Sequence, residues 1–259
     1  MTGETVLKIV LMDEILERLF WDHVNQDPLN YYFFIFDLKQ RRDQTKIMLA
    51  MEGEKIQGLM LIYRDQVVQL RGNRGAVKLS LDNLSLEKVE MQAPLDCEDL
   101  VLSKYRPKLR EEMMLMYLKR GEENIQVSTI PMKLGVEDAE QVLELMRRAD
   151  PTWWGDLQIE FVQKTLKEAV CVGIKQGSKL VSLGITRLMS FGSNISAVVT
   201  HEQYRNRGYA TSIVSTLVEE ILKFSSTALI HVISDNTPAV HAYSKVGFKP
   251  YRTYLSIRN

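Results

Sequence analysis

A short run of charged and small residues near position 208 has the composition of a phosphate-binding turn. The run Arg205-Asn206-Arg207-Gly208-Tyr209-Ala210 opens a helix that the apolar spacing predicts from Thr211 to Phe224. The first turn of a helix offers unpaired N–H groups at the positive end of the helix dipole, where a diphosphate can bind. Gly208 removes a side chain that would collide with phosphate oxygens, and the two arginines add positive charge. The run predicts a phosphate site, and the alternative is a plain helix start with surface arginines.

The surrounding residues predict a mixed α/β sheet with helices on both faces. The strands predicted in the C-terminal half are an edge strand Val127–Leu134, then Ala169–Lys175, Lys179–Arg187, Ile195–Thr200, Ala228–Ile233, Phe248–Tyr251 and Tyr254–Ile257. The helices are Val136–Ala149, Leu157–Glu168, Thr211–Phe224 and Pro238–Val246. This order places the phosphate turn between one strand and one long helix.

The N-terminal half repeats the same rhythm less clearly. Its predicted helices are Met12–His23, Val77–Leu84 and Glu98–Tyr105, and its strands are Tyr31–Leu38, Thr45–Met51, Ile56–Tyr63, Val67–Leu70, Lys88–Gln92 and Glu112–Lys119. The turn Arg71–Ala76 stands where Arg205–Ala210 stands in the other half. One interpretation is a tandem of one fold with a degraded first copy, and the other is an unrelated α/β domain. The polar stretch Lys119–Asn124 is the predicted linker, which divides the chain into residues 1–122 and 123–259.

Two sequence motifs resemble those of the GNAT superfamily of acetyl-CoA-dependent N-acetyltransferases. The first is the strand and turn from Val198 to Thr211, with the pattern (Q/R)xxGx(G/A). The second combines Asp235-Asn236-Thr237-Pro238 with Tyr243-Ser244-Lys245-Val246-Gly247-Phe248. One helix and one strand separate the two motifs, as in the superfamily. The resemblance implies a GNAT-like acyl-CoA N-acyltransferase fold in the C-terminal half, and a smaller or degenerate related domain in the N-terminal half.

By this resemblance the cofactor is acetyl-CoA. Its pantetheine arm is expected beside the strand that ends in Val198, Val199 and Thr200. Its diphosphate is expected on the loop and helix start formed by Arg205, Asn206, Arg207, Gly208, Tyr209, Ala210 and Thr211. The resemblance also places Asn236 beside the pantetheine arm, whereas the plainer interpretation is a turn residue before a proline.

Acetyl transfer to an amine requires a proton donor for the departing thiolate and a neutral amine. The resemblance assigns Tyr243 as the general acid, and the alternative is a tyrosine whose ring only packs in the core. Many relatives carry a glutamate base on the strand equivalent to Ile195–Thr200, and this strand has no carboxylate. His201, Glu202 and His231 are the ionisable residues nearby, and the sequence assigns none of them as the base.

The loop between the first two helices of the C-terminal half contains Trp153 and Trp154. In the superfamily this loop lines the acceptor pocket, so both tryptophans are candidate substrate contacts. Two adjacent indoles are costly to leave in water, and a hydrophobic plug between the domains is the alternative.

Composition limits the other classes of function. Lys plus Arg and Asp plus Glu both number 33, so there is no basic excess of the kind that nucleic-acid or membrane-surface binding requires. Two distant cysteines and four histidines favour a reducing, cytoplasmic setting and no metal site. The expected partners are acetyl-CoA and a primary amine. The alternatives are transfer of a longer acyl group and a non-catalytic acyl-CoA-binding regulatory protein, and the sequence indicates no oligomeric state.

Overall fold

The computed structural model describes residues 6–259. The first half of the chain forms β1 (Leu7–Leu11), α1 (Glu14–Val24), α2 (Tyr32–Gln40), β2 (Thr45–Glu52), β3 (Lys55–Tyr63), β4 (Val67–Gly72), α3 (Arg74–Asp82), β5 (Glu90–Pro94), α4 (Glu98–Lys104) and β6 (Leu109–Lys119). The second half forms β7 (Met132–Lys133), α5 (Ala139–Ala149), α6 (Pro151–Trp154), α7 (Ile159–Glu168), β8 (Val170–Gln176), β9 (Lys179–Arg187), β10 (Ser193–Thr200), α8 (Tyr209–Phe224), β11 (Thr227–Ile233), α9 (Thr237–Val246) and β12 (Lys249–Arg258).

The chain divides into two compact units, residues 1–114 with 252–259 and residues 115–251. Each unit runs through the same series: a strand, helices, three antiparallel strands, a helix, a parallel strand and a helix. The predicted repeat of one mixed α/β fold is therefore confirmed. The division into 1–122 and 123–259 stays a prediction, and the compact units place the last eight residues of the chain with the first half.

The N-terminal unit has a sheet in the order β1-β2-β3-β4-β5-β12. The strands from β1 to β4 are antiparallel, β4 and β5 are parallel, and β12 is antiparallel to β5. Its core includes Val68, Leu70, Val77, Val101 and Leu255, which pack α3 and α4 on one face of this sheet. Burial of these side chains is the main favourable contribution to this packing.

The C-terminal unit has a sheet in the order β6-β11-β10-β9-β8-β7. One face packs on α5 and α7 through Leu183, Ile185 and Val199. The other face packs on α8, because a Cβ added to Gly184 of β9 would collide with the side chains of Ile213 and Leu217. Helices thus cover both faces, as predicted, and α8 sits as close to β9 as a glycine allows.

One sequence prediction of local structure is wrong, and two others are right only in part. The strand predicted over Tyr31–Leu38 is the helix α2, whose side chains are buried on most sides. Aromatic residues favour strands only weakly, and burial in the core overrides that preference. The strand predicted over Val127–Leu134 is reduced to Met132–Lys133, because the N–H groups of Ser128 and Thr129 donate to Ser212 Oγ on α8 instead. The two short strands at the C-terminus are one strand, β12.

Candidate functional site

Strands β10 and β11 pair over a short distance and then separate. Their parallel register runs from Ser193 with Ala228 to Ile195 with Ile230 and goes no further among the described residues. At that point a bulge at Ser196 shifts the register of β10 against β9 on its other side. Bulges re-aim a strand and end its pairing on one side. The second half of β10 is consequently paired with β9 alone.

The bulge decides which peptide groups of β10 are left facing away from β9. The N–H of His201, just after the strand, donates to Val181 O of β9 at 2.9 Å. Peptide groups of alternate residues on a strand point to the same side. Those of Val198 and Thr200 therefore point to the side on which β11 has diverged. An extended ligand could pair there as an added strand would.

The loop that follows β10 reaches the start of α8 through two residues in the left-handed region. Asn206 has a φ of 60° and Gly208 a φ of 77°. Gly208 is the residue before the helix, and a Cβ added to it would lie 3.0 Å from Ser128 Oγ. Both the backbone conformation and the space favour glycine at this position.

The first turn of α8 has no side-chain cap. Within residues 6–259, the first backbone N–H of this helix that finds an acceptor is that of Ser212, which donates to Gly208 O at 3.0 Å. The N–H groups of Tyr209, Ala210 and Thr211 thus remain available, as an anion site at a helix start requires. This is the feature that the sequence motif predicts.

Arg205 and Arg207 lie beside this helix start with exposed side chains. Arg205 Nε donates to Thr200 O at 3.4 Å, and Arg207 Nη2 donates to Gln203 O at 3.4 Å. The Arg207 guanidinium also lies 5.1 Å from the centre of the Tyr204 ring. Neither contact involves a carboxylate, so both positive charges can act on a bound anion.

Tyr243 is buried on α9 with 6 % of its surface exposed, and its ring meets Phe248 edge-on at 6.4 Å. Burial raises the pKa of the Tyr243 hydroxyl above that of a free tyrosine. No hydrogen-bond partner of this hydroxyl is present among the described residues. Asn236 caps the same helix, since its Oδ1 accepts from Ala239 N at 3.3 Å. Its amide nitrogen is the part that remains for the predicted contact with a ligand.

The three ionisable candidates near β10 have different surroundings. His201 is buried, with Lys179 Nζ 3.4 Å from Nε2 and Gln203 N–H 3.3 Å from Nδ1. Burial, with Lys179 and Arg148 close by, lowers the pKa of His201. Glu202 is exposed and bonded to Arg148 at 2.7 Å, which lowers the pKa of its carboxyl. The side chains of His201 and Glu202 are therefore both in contact with neighbouring charged or polar groups.

His231 differs, because it lies on β11 just beyond the last residue paired with β10. Its Nδ1 is 3.1 Å from Asn194 Oδ1. A carboxamide oxygen only accepts, so this contact is a hydrogen bond in the tautomer that carries its proton on Nδ1. Asn194 is paired with Arg187 of β9, and partners in an antiparallel pair share a face. Both side chains therefore lie on the face that packs on α5 and α7.

The loop between α5 and α7 contains the one-turn helix α6, which begins at a capping bond from Trp153 N to Asp150 Oδ1 of 2.9 Å. Trp153 and Trp154 are both half-buried, and Trp154 packs against the core beneath α5 and α7. Trp154 thus has a packing role on this face. The role of either indole in acceptor binding stays a prediction.

Comparisons with known proteins agree with this geometry. Residues 171–257 match the family model of FR47-like proteins. A Drosophila protein shares 13% identity and superposes with a TM-score of 0.71, covering 98% of this chain and 99% of its own. A GNAT-family acetyltransferase from Colwellia psychrerythraea shares 14% identity with a TM-score of 0.61, over 97% of this chain and 99% of its own. A tandem GNAT protein of the clavulanic acid biosynthesis pathway shares 11% identity with a TM-score of 0.61, over 98% of both chains.

The chain therefore has the GNAT fold in tandem, and the resemblance seen in its two motifs is confirmed. Identities this low show the fold alone. No curated protein matches the sequence significantly. Across residues 6–259 no helix is long and apolar enough to span a membrane, and no cluster of three or more potential metal ligands occurs. The compartment and the absence of a metal stay predictions.

Proposed function

We propose that the protein is an N-acyltransferase that transfers the acetyl group of acetyl-CoA to a primary amine, and that the C-terminal unit carries the reaction. The observation that supports this most directly is the presence of two sets of backbone groups without a protein partner among the described residues of one unit. One set is the N–H groups of Val198 and Thr200 with the carbonyl of Val198, beside the diverging strand β11, and the other is the uncapped first turn of α8. An acyl-CoA combines an extended amide-containing arm with a diphosphate, so it matches both sets.

The residues present fit this donor. Val198, Val199 and Thr200 would hold the arm along β10, and the amide of Asn236 would bond to it. Gly208 leaves the start of α8 open, and the N–H groups of Tyr209, Ala210 and Thr211 would bind the diphosphate. Arg205, Asn206 and Arg207 complete the loop, with the two arginines contributing charge. When bound, acetyl-CoA supplies an activated thioester, so positioning contributes much of the rate.

Tyr243 would donate a hydrogen bond and a proton from its hydroxyl to the departing sulfur. The raised pKa of Tyr243 keeps its hydroxyl protonated throughout the normal assay range. The same shift makes it a weaker acid than free tyrosine, so hydrogen bonding to the developing thiolate is an important part of its contribution. The buried ring, meeting Phe248 edge-on, holds the hydroxyl in place.

His231 is the residue that we assign as the proton acceptor for the amine. The contact with Asn194 Oδ1 favours the tautomer that is protonated on Nδ1 and orients the ring. Both residues lie on the α5 and α7 face at the point where the strands separate, which is the face of the Trp153–Trp154 loop. An amine that approaches from that loop would meet the imidazole before it reaches the gap between the strands.

A thiol-release assay with acetyl-CoA and a panel of amino acids, polyamines, aminoglycosides and peptides tests the proposal. Turnover with an amine is expected, and longer acyl-CoAs should be slower donors. Tight binding of acetyl-CoA without turnover on any acceptor would instead support the non-catalytic acyl-CoA-binding protein.

His231→Gln tests the proton acceptor, with His241→Gln as the matched control because His241 is exposed on α9. The first change should lower kcat by about 100-fold, and the control should leave kcat unchanged. An unchanged kcat in His231→Gln would exclude His231 as the base while leaving the transferase proposal intact.

A further inference from the structure

The N-terminal unit contains a guanidinium that is removed from water. Arg71 lies at the end of β4 with 3 % of its surface exposed. Its Nε donates to Asn30 O at 3.1 Å, and its Nη1 donates to Leu70 O at 2.8 Å. Its Nη2 donates to the side-chain oxygens of Gln69 at 3.3 Å and Gln92 at 2.5 Å. These bonds use four of the five N–H donors of the group.

Every one of these acceptors is neutral. Within the part of the chain that the structure describes, no carboxylate lies within the ion-pair distance of 4.0 Å from Arg71. Its guanidinium stacks on the Tyr254 ring at 3.9 Å, which spreads some of the charge over a polarisable surface. A buried cation without an opposite charge is unfavourable, and arginine stays protonated in proteins. The arrangement lacks a negative charge.

Arg71 is one of the residues that line a cavity of about 560 Å³. It opens at the carboxyl ends of β4 and β5, which stop pairing after Gln69 with Gln92. Arg71 and Gly72 form one part of its wall, and Pro94, Leu95 and Tyr254 form an apolar part. Cavities of this size hold small organic ligands.

The other two charged residues that line this cavity, Arg252 and Asp96, are both exposed to solvent. Arg252 is exposed and lies 3.5 Å from Asp27 Oδ2. Asp96 also lines the cavity and is exposed to solvent, where water screens its charge. Arg71 is the buried one of these three charged residues, and it has no opposite charge within ion-pair distance among the described residues.

We propose that this cavity, the Arg71 cavity, binds a small organic carboxylate. The carboxylate would supply the negative charge for Arg71, and the apolar part of the acid would pack on Pro94, Leu95 and the Tyr254 ring. A singly charged acid matches one buried cation, whereas a doubly charged phosphate would leave excess charge in the cavity. The site is separate from the acyl-transfer site and does not depend on that activity.

Calorimetric titration of the full chain tests the proposal with phenylacetate and hexanoate as acids, phenylacetamide as the neutral counterpart and inorganic phosphate. Both acids should bind at millimolar or lower concentration, and phenylacetamide should bind at least tenfold more weakly than phenylacetate. Arg71→Met should weaken phenylacetate binding by at least tenfold. The matched control is Arg74→Ala, because Arg74 lies on the same turn and is exposed beside Asp99.

Thr253→Trp narrows the Arg71 cavity while Arg71 is retained, so it covers the case in which Arg71→Met does not fold. It should also abolish phenylacetate binding, with circular dichroism showing an intact fold. The Nε–H resonance of Arg71 should shift when phenylacetate is added to the wild-type chain. Binding of no carboxylate, equal binding of phenylacetamide, binding of phosphate alone or undiminished binding to Arg71→Met would each overturn the proposal.

Discussion

The two strand-to-helix connections of the tandem fold are built differently. In the N-terminal unit one residue, Asn73, separates the end of β4 at Gly72 from the start of α3 at Arg74. In the C-terminal unit residues 201–208 separate β10 from α8. The first connection is a tight turn, and the second is a loop with two left-handed residues.

The start of each helix reflects this difference. Asn73 Oδ1 accepts from Ala76 N at 2.9 Å, so the N-terminal unit caps its own helix. Asn73 N also donates to Gln57 O of β3 at 3.1 Å, which ties the turn to the sheet. The start of α8 has no such cap, and three of its N–H groups remain available to a ligand. One copy satisfies its helix internally, and the other leaves it open to an anion.

The scaffold under the two helices is otherwise alike. A Cβ added to Gly58 of β3 would collide with Ala76 of α3, and one added to Gly184 of β9 would collide with Ile213 of α8. Both helices therefore rest on a glycine of the neighbouring strand. The helix start of the N-terminal unit is closed by the short turn and its cap, and its helix contacts the sheet in the same way as α8 does.

The largest effect is expected from Gly208→Val. A β-branched residue at a φ of 77° is strained, and its side chain would meet Ser128 Oγ and occupy the open helix start. Affinity for acetyl-CoA should fall on the order of 1,000-fold, which corresponds to ~4 kcal/mol. Gly75→Ala at the start of α3 is the control, since its Cβ makes only ordinary contacts. Retained affinity in folded Gly208→Val would contradict the assignment of the loop.

Tyr243→Phe should lower kcat by about 100-fold while affinity for acetyl-CoA changes little. The change removes the hydroxyl but keeps the ring that meets Phe248, so the fold should survive. Steady-state kinetics and calorimetry on the same preparation separate the two effects. An unchanged kcat would show that Tyr243 has a packing role only.

Substitution of the two helix-capping residues, Asn73 and Asn236, distinguishes a capping role from a role in ligand binding. Asn73→Ala and Asn236→Ala each remove a side-chain cap and should each lower the free energy of unfolding by about 1 kcal/mol. Only Asn236→Ala should also weaken acetyl-CoA binding, by several-fold. Urea denaturation and calorimetry measure the two quantities. Equal loss of acetyl-CoA affinity in both variants would mean that the first copy also takes part in binding.

The smallest expected effect is that of alkaline pH on kcat through Tyr243. Burial raises the pKa of Tyr243 above the ordinary tyrosine value of about 10. Its proton is therefore lost only at still higher pH, and kcat should not fall because of Tyr243 between pH 8 and about 10. The check is to compare the pH–rate profiles of the wild type and Tyr243→Phe. If kcat of the wild type falls below pH 9 and this fall is absent in Tyr243→Phe, the pKa of Tyr243 is not raised and the prediction is contradicted.

The C-terminal unit is easier to predict from the sequence than the N-terminal one, because glycine and proline mark the ends of its helices. Gly208, Pro238 and Gly247 stand where the structure begins or ends a helix, and the predicted elements around them are confirmed. The helix α2 was not predictable in the same way, because its Tyr, Phe and Ile residues are buried on most sides and have no helical spacing. Its identity depends on the core that surrounds it.

The candidate acyl-CoA site is likewise only partly predictable from the sequence. The uncapped start of α8 follows from the motif, whereas the bulge at Ser196 and the separation of β10 from β11 depend on contacts between distant strands. The bond between His231 and Asn194 joins residues 37 positions apart, and no pattern in the sequence links them. The turn Arg71–Ala76 stands where the phosphate turn stands in the other half of the sequence, but its arginine is buried and its helix is capped by Asn73.

The number of acetyl-CoA molecules bound per chain tests the central contrast most directly. Calorimetric titration of the wild-type chain should give one molecule per chain, and Gly208→Val should abolish that binding. Two molecules per chain, or one that remains bound to folded Gly208→Val, would contradict the proposal that only the open helix start of the C-terminal unit holds the donor.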